Sequence, residues 1–180
     1  MEEIRLMALL QTYHVPFQTW GNGKTRMIDD LMGELTAERS VLVKNGTSLL
    51  RIVRVATVSV FCTLNSPTLQ LKMEKKPDSQ NGREYPWSTD TVSICEKLMP
   101  NEDALTAAGR SLEELGIMGK FPFTEGLKTV KGPMDSTLFP GLRDRYEIFP
   151  LSVFLSRSFY RPEGYREQGG GAICFVWVEV

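Results

Sequence analysis

Between Leu49 and Leu64 the chain runs through sixteen residues in which only Arg51 and Arg54 are charged and many of the rest are β-branched. A stretch of that composition predicts one long strand rather than a helix, because branching at Cβ restricts the rotamers a helix allows and suits a pleated surface. Val41–Val43 precedes it, and Asn45-Gly46 lies between the two, the dipeptide that most favours a type I′ hairpin turn. Arg51 and Arg54 interrupt strict alternation, which predicts a bulge or a partly exposed edge at that point.

Upstream, Ile4, Leu6, Met7, Leu9 and Leu10 recur at helical spacing, and the helix should stop before Val15-Pro16. Gly21-Asn22-Gly23 reads as a loop, with Thr25 capping a second helix built on Ile28, Leu31, Met32 and Leu35. Residues 1–39 therefore form a helical N-terminal extension to a domain spanning 40–180.

Downstream, Leu69–Met73 alternates as a short strand, residues 74–90 are polar and rich in turn formers, and Val92–Leu98 is a strand entering a turn at Pro100. Asn101 is the expected N-cap of a helix with Glu102 and Asp103 in its first turn, a buried face of Ala104, Leu105, Ala108, Leu112 and Leu115, and Gly116 as its stop. Phe139-Pro140-Gly141-Leu142 has the Pro-Gly centre of a type II turn. Tyr146–Leu155 is a strand that Pro150 assigns to an edge or a bulge, and Ala172–Val180 is a final strand. In that last strand Ile173, Phe175 and Trp177 share one face while Cys174, Val176 and Val178 make the other apolar too, so burial on both sides is expected up to Glu179. Helices, strands, a central helix and more strands predict an α/β fold with a mixed sheet.

Composition narrows the function classes. With 21 basic and 22 acidic residues in 180, the chain lacks the positive excess of a general nucleic-acid coat protein, and nucleic acid is not an expected partner. Cys62, Cys95 and Cys174 show no C-x-x-C spacing, so they read as reduced, buried thiols rather than a disulfide framework or zinc site. No apolar run approaches the ~20 residues of a membrane span, and Met1-Glu2-Glu3 lacks the basic start of a signal peptide. A cytoplasmic protein without membrane attachment is expected. Asn45-Gly46-Thr47 fits a glycosylation sequon but reads as the hairpin turn.

The segment from Leu98 to Ile117 carries the most chemistry. Its end, Glu113-Glu114-Leu115-Gly116-Ile117, matches without gaps the close of the box G-x5-E-x7-R-E-U-x-E-E-x-G-U, in which U is apolar. On these residues, and on the strand–turn–helix order around them, the chain resembles the Nudix hydrolases. The resemblance implies a Nudix-like α/β/α sandwich over residues 40–180. It also implies helix glutamates that hold a divalent metal against a substrate diphosphate, since hard cations take oxygen ligands. The match is confined to the end of the box. Counted back without a gap, the box's first glycine falls on Cys95, its first glutamate on Asn101, its arginine on Gly109 and the next glutamate on Arg110. A one-residue deletion would put Arg110 on the arginine but Ser111 on the glutamate, so the Arg-Glu pair is lost either way.

What remains of the implied metal set is Glu113 and Glu114, with Arg110 three and four residues before them, where opposite charges attract. The guanidinium is expected in the space a metal would take. The same three residues also fit the solvated face of an amphipathic helix that ends in glycine.

Other features are weaker. Arg157, Phe159, Tyr160, Arg161, Tyr165 and Arg166 interleave cations with aromatics, a composition that stacks bases and neutralises phosphate but also packs along a sheet edge. Arg110, Arg157, Tyr160 and Arg161 are the candidate substrate contacts. Gly21-Asn22-Gly23-Lys24-Thr25 resembles the tail of a P-loop, but Gln18 stands where the motif needs glycine and no strand precedes it. His14, the single histidine, has no acid or nucleophile beside it in sequence, so no catalytic residue is assigned.

The expectation is a Nudix-like domain with an incomplete metal site. It would act as a nucleotide- or diphosphate-binding or protein-interaction module with weak or no hydrolase activity and no resident cofactor. One alternative is an active pyrophosphohydrolase cleaving nucleoside-diphosphate linkages with Mg2+ or Mn2+ on a non-standard ligand set that draws in Glu102 or Glu96. Another is a structural subunit of a larger assembly, meeting a protein partner through the N-terminal helices.

Overall fold

The computed structural model describes residues 3–64, 67–74, 92–167 and 173–180. Its elements are α1 (Glu3–Thr12), α2 (Ile28–Thr36), β1 (Val41–Asn45), β2 (Ser48–Thr63), β3 (Thr68–Met73), β4 (Ile94–Lys97), α3 (Ala104–Glu114), β5 (Phe123–Glu125), β6 (Thr129–Asp135), β7 (Arg143–Leu155), β8 (Tyr165–Arg166) and β9 (Cys174–Glu179). The fold is mixed α/β: among the described residues, three helices accompany one mixed sheet of nine strands.

The long apolar run becomes β2, and it lies at the centre of the sheet, not at an edge. Along one side it pairs in parallel with β7, one residue to one from Leu50↔Arg143 to Cys62↔Leu155, with no bulge. Along its other side it pairs antiparallel with β1, β4 and β3 in succession. Beyond β3 the order continues through β9 to β8, while β5 and β6 flank β7. Parallel strands cannot be joined by a tight hairpin, so residues 64–142 make the crossover between β2 and β7.

The buried side of the two central strands changes halfway along them. Successive side chains point to opposite faces. On β2 the odd-numbered Leu49, Arg51, Val53 and Val55 are buried near its start, and the even-numbered Ala56, Val58, Val60 and Cys62 near its end, with Leu50 and Thr57 buried besides. Register carries the same switch to β7, where Asp144, Tyr146 and Ile148 are buried first and Leu151, Val153 and Leu155 later. Two cores cause it. Leu49 shares one with Leu6 and Leu10 of α1, Leu31 of α2, Trp20, Phe139 and Leu142. Ala56, Val58 and Val60 share the other with Ala107, Ala108 and Leu112 of α3, followed by Leu115 and Ile117.

Several expectations are corrected here. The hairpin turn is Gly46-Thr47, one residue later than expected, because Asn45 pairs with Ser48 and only Gly46 has positive φ, at 59°. That is the glycine-first, type II′ arrangement. Thr25 does not cap α2, since its hydroxyl donates to Asn22 O at 2.9 Å; Asp30 Oδ2 instead accepts from Met27 N at 2.9 Å. Asn101 sits in the turn with φ 58°, and Asp103 caps α3, accepting from Thr106 N at 2.7 Å. Leu105 faces outward, 40% exposed, because the buried stripe runs through Ala107, Ala108, Ser111 and Leu112.

Pro150 lies in neither an edge strand nor a bulge of β7. Its ring falls between the stretches of β7 that β6 and β5 cover, and Gly126 N donates to its carbonyl at 2.8 Å, so the missing N–H faces a gap in pairing. In β9 burial fades early: Phe175 is buried, Cys174, Val176 and Trp177 are half-buried, and Val178 is 43% exposed. Strands β3 and β8 flank it, but its two faces are not equally covered. The expected loop over 74–90 falls, apart from Glu74, outside the described residues. No disulfide joins the three cysteines: Cys62 is buried, Cys95 and Cys174 half-buried. Among the described residues, no helix is long and apolar enough to cross a membrane.

Candidate functional site

Helix α3 ends in a complete Schellman motif. Gly116 N donates to Glu113 O at 2.8 Å, Ile117 N donates to Leu112 O at 2.9 Å, and Gly116 has φ 75°. Leu112 and Ile117 close the motif with an apolar contact inside the α3 core. Glu113-Glu114-Leu115-Gly116-Ile117 thus has a local physical basis as a helix stop.

One turn back, Arg110 is the hub of a carboxylate cluster. Its Nε and Nη2 hold the two oxygens of Glu102 at 3.2 and 3.1 Å, a bidentate fork. Nη1 donates to Glu96 at 2.9 Å and to Glu114 at 3.4 Å, and Nη2 also donates to Lys97 O at 3.1 Å. The parts come from three places: Glu96 from β4, Glu102 from the turn into α3, and Arg110 with Glu114 from the helix. Glu96 pairs with Ala56 across β2, so it points to the side on which α3 packs. Glu102 also accepts from Met99 N at 2.7 Å, so one carboxylate closes the turn and receives the arginine.

Electrostatics follow from this geometry. Burial raises Glu102, but the Arg110 fork and the Met99 N–H prevail and hold its carboxyl below the usual range. Glu96 goes the other way: burial, only partly offset by Arg110 and Arg39 and reinforced by Glu114, pushes it above that range. Hydrogen bonds that it donates to Glu102 and Glu96 hold Arg110 charged against its own burial.

Glu96→Gln tests this balance. A carboxyl raised in the fold lowers stability as pH climbs from the unfolded value, near 4.3, through the folded one, and the deficit persists above it. Glu96→Gln removes that deficit while keeping an acceptor for Arg110. The variant should be more stable than wild type at pH 7, and the difference should vanish below about pH 4. Urea denaturation across that range measures it; a variant weaker than wild type at pH 7 would show that the Arg110 pairing outweighs burial.

The cluster is not laid out for a metal. The guanidinium stands among the carboxylates and draws on all three. Among the described residues, no group of three His, Cys, Asp or Glu side chains is placed to hold an ion. Glu114 belongs to the cluster, whereas Glu113 is exposed and Arg110 pairs with Glu96 and Glu102 instead. A guanidinium does not release a proton near neutral pH, so the hub offers charge and hydrogen bonds, not acid–base catalysis. Burial and the neighbouring Glu96 push the Cys95 thiol well up, which removes it as a nucleophile. His14 is exposed.

The aromatic-basic stretch lies against the sheet. Tyr165 is buried in the α3 core, its hydroxyl donates to Phe159 O, and its ring meets Trp177 edge-on at 6.3 Å. Tyr160 lies 6.0 Å from Trp177, and the Arg161 guanidinium lies 5.0 Å over Tyr165. Arg157 is exposed in a short 3-10 turn. Among the described residues, no hydrogen bond or ion pair joins this stretch to Arg110.

A second charged network escaped the sequence reading. Arg51, 1% exposed, donates from Nε and Nη2 to Glu34 at 3.1 and 2.9 Å, and from Nη1 to Asp144 at 2.8 Å. Arg26 reaches Glu34 at 3.1 Å, Lys97 also bonds Glu34, and Tyr146 OH donates to Asp144 at 3.1 Å. Phe139 lies under the Arg51 guanidinium at 5.0 Å. The available signal was the placement of Arg51 on the same odd-numbered side as Leu49, Val53 and Val55. Strand β4 feeds both networks, with Glu96 on one side and Lys97 on the other. Compared with protein-family models and with the curated proteins, the chain matches none.

Proposed function

We propose that the chain is a Nudix-like domain, an α/β/α sandwich in which a resident guanidinium has taken the place of the metal. It binds a nucleotide or diphosphate ligand with weak or no hydrolysis. The observation that carries this reading is the Arg110 hub: one cation holds Glu96, Glu102 and Glu114, in the part of α3 where the box resemblance requires carboxylates free for a metal. Supporting it are the order strand β4, turn, helix α3 and Schellman stop, and the placement of α1 and α2 on one side of the sheet and α3 on the other. The reading as an assembly subunit docked through α1 is disfavoured, because Leu6 and Leu10 are fully buried in the chain's own core.

The test is hydrolysis of ADP and of other nucleoside diphosphate derivatives at millimolar Mg2+ or Mn2+. Turnover should be undetectable or far below the ~1 s⁻¹ at which ordinary enzyme rates begin. Metal-dependent turnover at or above that rate, abolished by Glu114→Gln, would replace this reading with the pyrophosphohydrolase.

A further inference from the structure

The switch of buried side along β2 and β7 leaves half a sheet face open. On the side where α3 packs, cover begins at Ala56 and Leu151. Short of that line the same side carries Leu50, Ile52 and Arg54 of β2 and Arg143, Arg145, Glu147 and Phe149 of β7, since Leu50 pairs with Arg143, Ile52 with Arg145, Arg54 with Glu147 and Ala56 with Phe149; Leu50 is buried and Ile52 half-buried. Arg54 is exposed, the Arg145 side chain is 40% exposed, and Val41 and Val130, which pair onto this side, are 56% and 49% exposed. Lys128 joins them, 4.9 Å over the Phe149 ring that Arg54 also covers at 5.5 Å. Four cations thus face Glu147 and Asp135, on a chain whose net charge is −1.

The arginines are under-used. Arg143 donates Nη2 to Pro133 O at 2.9 Å, and Arg145 comes no nearer than 4.0 Å to Glu147. In both, Nε is buried without an acceptor. An anion that reached either Nε would supply the acceptor it lacks. Arg143 and Arg145 stand one strand repeat apart, about 7 Å, and Arg54 lies on the neighbouring strand about 8 Å from Arg145. Arginine side chains are long enough for two of these forks to meet on one phosphate, whereas two linked phosphates present oxygens to all three, and guanidinium forks match phosphate oxygens in pairs. Glu147, the acid directly beside Arg54, is bonded by Lys128 at 2.8 Å, and at the border Glu96, which pairs with Ala56, is bonded by Arg110, so both neighbouring carboxylates already have a cation.

We propose that this open half-face, framed by Arg54, Arg143 and Arg145, binds a ligand carrying two linked phosphates directly on its arginines, without a divalent metal. The inference rests on the reading of the chain as a diphosphate binder. Its test is titration of the ¹⁵N-labelled full chain with inorganic pyrophosphate in EDTA, with calorimetry on variants. Binding should be saturable and should weaken with added salt. Amide shifts should concentrate in residues 50–54 and 143–149. Arg54→Gln/Arg145→Gln should lower affinity at least tenfold, and Arg54→Gln alone, at an exposed side chain that the fold does not need, at least threefold. Lys44→Gln, on the opposite side of β1, should bind as wild type. Absence of binding at millimolar pyrophosphate, equal affinity in the double variant, a requirement for Mg2+, or shifts confined to residues 157–166 would each overturn the proposal. Should ADP still bind in any of those cases, the broader binding reading survives and only this surface falls.

Discussion

Asp144→Ala should cost about 3–5 kcal/mol of folding stability, the range expected when one partner of a buried ion pair is removed. The carboxylate is 2% exposed and holds both Arg51 Nη1 and Tyr146 OH. Removing it leaves a 1%-exposed guanidinium with Glu34 as its remaining carboxylate. In the intact network Arg26, Arg51 and Lys97 face Glu34 and Asp144, so one positive charge is already in excess, and the variant adds a second. For a chain of this size the loss lowers Tm by about 10 °C.

Arg51→Met should cost less, because it leaves the network neutral and Asp144 keeps the Tyr146 hydroxyl. Arg51→Met/Asp144→Ala should be well short of the sum of the singles, with a coupling of about 1–3 kcal/mol, because no orphaned charge remains. Acid should weaken the same region. Burial opposes the charge on Glu34, but Arg51 and Lys97 prevail and hold it below the usual carboxylate range. Its contribution is therefore complete above about pH 4.3, the unfolded value, and is lost as pH falls through the folded one. Chemical denaturation of the three variants and wild type decides the matter; Asp144→Ala within about 1 kcal/mol of wild type would show that Arg51 does not depend on it.

That network also marks where sequence reasoning ends. Charged residues in a strand are ordinarily exposed, so Arg51 and Arg54 together read as an edge. They point to opposite sides of β2, and only Arg54 reaches solvent. What buries Arg51 is Glu34, seventeen residues away in a helix, and Asp144, ninety-three residues away in a strand. Neither separation leaves a periodic trace. Pro150 misled for a related reason: it forbids one hydrogen bond, and the gap between β5 and β6 that makes the bond unnecessary is a tertiary feature.

Local rules did better where the physics is local. The helix stop at Gly116, the Phe139–Leu142 turn with Gly141 at φ 90°, and the presence of a hairpin after β1 all depend on a few adjacent residues. Even so, the hairpin turn lies one residue later than the Asn-Gly pair suggests, because register is set by pairing along the whole strand. At the candidate site, Arg110 and Glu114 were legible from helical spacing, and Glu96 and Glu102 only as members of an alternative ligand set. That the guanidinium chooses Glu102 and Glu96 over Glu113 follows from how β4 and the turn fold back onto α3, which helical spacing does not contain.

Arg110→Glu should convert the cluster from a closed ion-pair hub into a metal-responsive one. The substitution removes a fork bonded to Glu102 and contacts to Glu96, Glu114 and the Lys97 carbonyl, and adds a fourth carboxylate. Loss of the shared partner and the new repulsion should together destabilise the chain by about 3 kcal/mol in EDTA. The acids that remain are oxygen ligands already gathered within 3.4 Å of one guanidinium. Divalent cations take such oxygens at roughly 2.0–2.6 Å, so the side chains must close in by about 1 Å, which the partial exposure of Glu96 and Glu114 permits. Metal at a hundredfold above its dissociation constant would then restore about 2.7 kcal/mol. Arg110→Ala, which opens the centre without the added carboxylate, should respond less, and wild type hardly at all. Melting temperature against Mn2+ and Mg2+ concentration separates the cases. A variant with no metal response would mean that the carboxylates do not converge once the arginine is gone. A strong response in wild type would mean that Arg110 does not exclude the metal, and would favour the pyrophosphohydrolase over the binding module.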